Sequence, residues 1–182
     1  MTETELSIKL REDARRIGLC DKWYKEWEDN TSMQGLIDKF IRGNDFCFSK
    51  RWPSLQFIKT HFPKDILRRN GILVDDVRSF PERDNATRRL IYLTDYILMG
   101  ESQSVIRYSF KPHCCNVWVL DKSHITVDVK YGAFIMIHLL DNASANIKTD
   151  LVSKVTVIRH SQNVKIKKEG IVNVRDEFHY LK

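Results

Sequence analysis

The sequence predicts an α+β protein: a helical N-terminal cap followed by a short right-handed β-solenoid (β-helix) with coils of about 20 residues. Three observations predict it. Val117-Trp118-Val119-Leu120-Asp121 recurs as Ile137-His138-Leu139-Leu140-Asp141, every position displaced by the same interval, and a looser echo slipped to about 19 follows at Thr156–Ser161. Shorter alternating runs lie between these, at His124–Val129, Ala145–Thr149 and Asn163–Lys167. The first ~70 residues, by contrast, repeat their apolar positions at helical spacing. A recurrence of this length marks coils whose apolar face stays uncovered until a neighbour stacks on it. An antiparallel β-sandwich also tolerates strands about ten residues apart, but gives no reason for like residues to recur. In a solenoid they stack, so Val127 and Ile147 are expected one rung apart in one inward column.

Taken in order, Thr2-x-x-Glu5 has capping-box spacing, and Leu6, Leu10, Ala14 and Ile17 share a helical face that Gly18 ends. Asp21 can cap a second helix carrying Trp23, Tyr24 and Trp27. Thr31 or Ser32 caps a third, with Leu36, Ile37, Phe40 and Ile41 inward and Gly43 as its stop. Phe46-Cys47-Phe48 is too short to assign. Pro53-Ser54 opens a helix that Pro63 closes, and a last turn from Lys64 to Arg69 ends at Asn70-Gly71. Ile72-Leu73-Val74 reads as a strand. The aperiodic, polar Asp75–Arg89 stretch reads as a linker. The expected organisation is therefore a helical region over 1–74, a loop over 75–89 and the solenoid over 90–182. Its irregular first coil is expected at Tyr96–Gly100 and Val105–Phe110.

The stretch Leu19-Cys20-Asp21-Lys22-Trp23-Tyr24-Lys25-Glu26-Trp27 resembles the opening signature of an uncharacterised family of small proteins from Bacteroides-type gut bacteria and their prophages. Gly43–Cys47, Pro53-Ser54, Phe57–Lys59 and Asn70–Asp75 are similar to the same family. The resemblance implies a phage or mobile-element setting and brings no activity with it.

Composition narrows the function classes. Hydrophobic residues make up 42% and charged residues 30% of the 182, ordinary for a globular protein. The acidic Met1–Glu5 start does not read as a secretory signal, and no apolar run approaches the ~18 residues of a membrane span, so a cytoplasmic protein is expected. The net charge of +6 is spread, +2 over residues 1–96 and +4 over 97–182, which supports weak nonspecific nucleic-acid binding at most. Cys20, Cys47, Cys114 and Cys115 lack metal or redox spacing and read as reduced apolar side chains.

Candidate chemistry is sparse. His138 and His160 fall in comparable regions of successive coils, with His124 nearby, but no carboxylate accompanies them at a constant offset, so no metal and no cofactor is expected. Asp121 and Asp141 fall one rung apart; a paired-carboxylate acid/base site is weighed against turn formation, which is favoured because both precede turn residues. Glycine loops for phosphate, nucleophile elbows and zinc-protease motifs are missing from the sequence. Trp23, Tyr24 and Trp27 could form an aromatic platform for a partner, although packing onto the protein itself is the commoner use of such residues. Arg68 and Arg69 could contact phosphate if Ser54–Asn70 were a helix-turn-helix, but the second helix is short.

The expectation is a non-enzymatic accessory protein that binds a protein partner through a rigid solenoid surface. A nucleic-acid-binding regulator using the helical half is the alternative, and a carbohydrate-active β-helix is weaker.

Overall fold

The computed structural model describes residues 1–28, 31–80, 95–108 and 114–178. Two compact units divide the chain, one spanning Met1–Ile66 and the other beginning at Leu67.

The first unit is built from short helices. Helix α1 (Glu3–Arg16) starts with a complete capping box between Thr2 and Glu5 and buries Leu6, Ser7, Leu10 and Ala14. Helix α2 (Asp21–Lys25) carries Trp23 and Tyr24 and ends before Trp27. Helix α3 (Met33–Arg42) is capped by Ser32, whose hydroxyl accepts from the Gly35 N–H, and buries Leu36 and Ile37. Phe46-Cys47-Phe48 proves helical, within α4 (Asn44–Ser49). Helix α5 (Leu55–His61) is capped by the Ser54 hydroxyl, and α6 (Lys64–Arg69) runs into the second unit. Two edge-to-face pairs, Phe40 on Phe48 at 5.8 Å and Trp27 on Trp52 at 6.5 Å, tie these helices together.

The second unit is a β-solenoid with two strands per coil. Its strands are β1 (Ile72–Val74), β2 (Val77–Phe80), β3 (Asp95–Met99), β4 (Gln103–Tyr108), β5 (Cys114–Val119), β6 (His124–Val129), β7 (Phe134–Leu139), β8 (Ser144–Thr149), β9 (Lys154–Arg159), β10 (Lys165–Glu169) and β11 (Val172–Asp176). Odd strands form one sheet in the order β1-β3-β5-β7-β9-β11 and even strands the other, in the order β10-β8-β6-β4-β2. Every pairing is parallel, which excludes the antiparallel sandwich. Val127 pairs with Ile147 in the register expected of them.

The core is the set of inward columns. Ile125, Val127 and Val129 face Ile135, Ile137 and Leu139 across the interior, all fully buried. Alternation along each strand follows from the two-residue period of the pleat, with β6 reading half-buried, buried throughout. The interval does not slip at the third echo: Ile137 stays opposite Val157 and His138 opposite Ile158. His138 and Ile158 share a column without sharing chemistry, so the residues at this level do not repeat although the register does.

Two expected boundaries are corrected. The solenoid begins at Ile72 and not near Leu90, because β1 pairs with β3 and β2, inside the expected linker, pairs with β4. Strands of three and four residues are too short to display alternation. The linker from residue 81 on lies outside the described residues, as do Ser109, Phe110, His113 and His179.

At the first four odd-to-even corners one left-handed residue turns the chain: Asp75, Gly100, Asp121 and Asp141 have φ of 44°, 72°, 57° and 57°. At the opposite corner Gly170, φ 91°, sits where a Cβ would lie 2.3 Å from the Thr149 carbonyl oxygen. No described helix is long and apolar enough to cross a membrane.

Candidate interaction surface

The carboxylates at the first corner serve the fold. Asp121 Oδ2 accepts from the Gly100 N–H at 2.7 Å, and Asp141 Oδ2 accepts from the Asp121 N–H at 3.0 Å. Turn formation is thus their use, and each carboxylate bonds the backbone of the preceding coil.

The described histidines of the solenoid lie at two separate places. On the outward side of the odd sheet, the Trp118 indole lies flat on the His138 ring at 3.8 Å, and His138 Nδ1 is 3.0 Å from His160 Nε2. His160 Nδ1 faces the Glu177 carbonyl oxygen at 3.3 Å, which can only accept, so Nδ1 carries the proton. Its Nε2 therefore accepts from His138 Nδ1–H. Burial, reinforced by His160, pushes the His138 pKa down to about 4. On the outward side of the even sheet, His124 Nδ1 is 2.8 Å from Ser144 Oγ, while Asn146 Nδ2 approaches Nε2 at 3.2 Å. With a donor at Nε2, Nδ1–H donates to the serine, the reverse of the tautomer a serine nucleophile needs. Among the described residues no three metal-binding side chains converge.

Among the partner-binding candidates, Trp27 is buried and its indole N–H donates to Ser7 Oγ at 3.0 Å. Trp23 and Tyr24 are half-buried, each with guanidinium over its ring: Arg42 at 5.2 Å for Trp23, Arg11 and Arg15 at 5.1 and 5.2 Å for Tyr24. Tyr24 Oη also donates to Glu12 at 2.8 Å, which raises its pKa. Packing within the helical unit accounts for much of this cluster. Arg68 forms a bidentate pair with the buried Asp76, and Arg69 is exposed on the same short helix.

A surface the sequence did not signal lies along the other corner of the solenoid. Its tips carry Tyr131 between β6 and β7, Leu151 and Val152 between β8 and β9, and Ile171 between β10 and β11. Their exposures are 68%, 85%, 67% and 63%, high enough that none contributes to the core. The equivalent tips at the first corner are Glu101, Lys122, Asn142 and Gln162, all exposed and polar. Among the described corners, one edge of the solenoid thus presents polar tips and the other apolar ones. The apolar edge is rigidly held: Asp150 accepts from the backbone N–H of Tyr131 at 2.7 Å, of Ser153 at 2.8 Å and of Val152 at 3.2 Å. The Ser153 hydrogen bond first, then these backbone donors, hold its carboxyl below the usual range.

Tyr131 and Gly132 have φ of 62° and 77°, a succession for which Asn-Gly is the favoured pair. The other left-handed non-glycine residues described at solenoid corners are all aspartates. A bulky aromatic held there, with its ring in solvent, is costly to the fold.

No family model, curated protein or solved structure matches the chain.

Proposed function

We propose that the protein is a non-enzymatic accessory factor that binds a protein partner through the apolar edge of its solenoid. The observation that carries this is the row Tyr131, Leu151–Val152 and Ile171, exposed on three successive corners while the opposite corner is polar. A solvated corner needs no such residues, and contiguous exposed apolar side chains mark interaction sites. The parallel ladders beneath hold the row in place, so little ordering is required on binding. The resemblance of the Leu19–Trp27 stretch suggests a phage or mobile-element setting.

The test is site-specific photocrosslinking in the cells that make the protein. A photoreactive residue in place of Leu151 should give a discrete adduct that the same residue at Lys122, on the polar corner, does not. Equal adducts from both positions, or none from Leu151, overturn the proposal.

A further inference from the structure

We draw no further inference here: the strongest candidate, the exposed apolar tips Tyr131, Leu151, Val152 and Ile171 at the even-to-odd corners of the solenoid, belongs to the surface already described, and nothing in the structure shows what covers it.

Discussion

His138 Nδ1 and His160 Nε2 meet at 3.0 Å although the two residues are not ladder partners. The strand partner of His138 is Ile158, and His160 reaches it from just beyond the end of β9. Both rings are buried, and the relay ends on a carbonyl that accepts only. A proton added to Nε2 of His160 would confront the Nδ1–H of His138.

Acid should therefore destabilise the fold through this pair. The His138 pKa is about 4 in the folded state against 6.5 for the free side chain, so the unfolded chain takes up a proton first as pH falls. The stabilisation is complete above pH 6.5 and is lost between there and about 4; it is worth on the order of 3 kcal/mol. Urea melts should show His138→Gln to be less stable at pH 7 but flatter across this window. His124, also depressed by burial, adds in the same direction, and His124→Gln measures its share.

At the first corner, Asp141→Ala removes an acceptor from the Asp121 N–H and places alanine at φ 57°. A loss of about 1–2 kcal/mol is expected. Asp141→Asn keeps an acceptor and tolerates the left-handed turn, so its loss should be well under half of that in the same denaturation series.

Tyr131→Asn separates stability from binding. Asparagine suits the φ of 62° better than tyrosine, so stability should hold or rise by up to about 1 kcal/mol. Crosslinking from Leu151 should nonetheless fall. Undiminished crosslinking would show that the aromatic ring has no part in the contact.

The last coil replaces core residues with charge. Asp176 of the edge strand β11 follows Leu139 and Arg159 in one inward column and holds Arg159 in a bidentate pair at 2.6 Å, while Lys168 of the edge strand β10 follows Ile147 in another. Inward charges at an open edge discourage a second molecule from continuing the sheet. Asp176→Leu with Lys168→Ile should yield concentration-dependent oligomers in light scattering, where the wild type shows no such trend.

DNA binding, if measured, should be nonspecific and abolished by ~200 mM salt. Arg68 is committed to Asp76, and the doublets Arg15-Arg16, Lys50-Arg51 and Lys167-Lys168 stand apart in the sequence. A salt-resistant, sequence-specific shift would instead support the regulator.

The parallel stacking of coils, the pairing of Val127 with Ile147 and the turn role of Asp121 and Asp141 were all legible from residue order. Each depends on a local period: two along a strand, about 20 along the solenoid. The helix caps at Thr2, Ser32 and Ser54 were legible for the same reason, since a cap is decided within four residues. What needed the fold was lateral adjacency. Ile72–Val74 and Val77–Phe80 join the first coil only because longer strands pair with them. The His138–His160 contact lies off the register, and the Arg68–Asp76 pair crosses from a helix to a strand connection. Above all, Tyr131, Leu151, Val152 and Ile171 read in sequence as unrelated hydrophobic residues near turns. Only the register puts them on one edge and leaves them in solvent, because a shift of one residue in any strand would turn its apolar set to the other face.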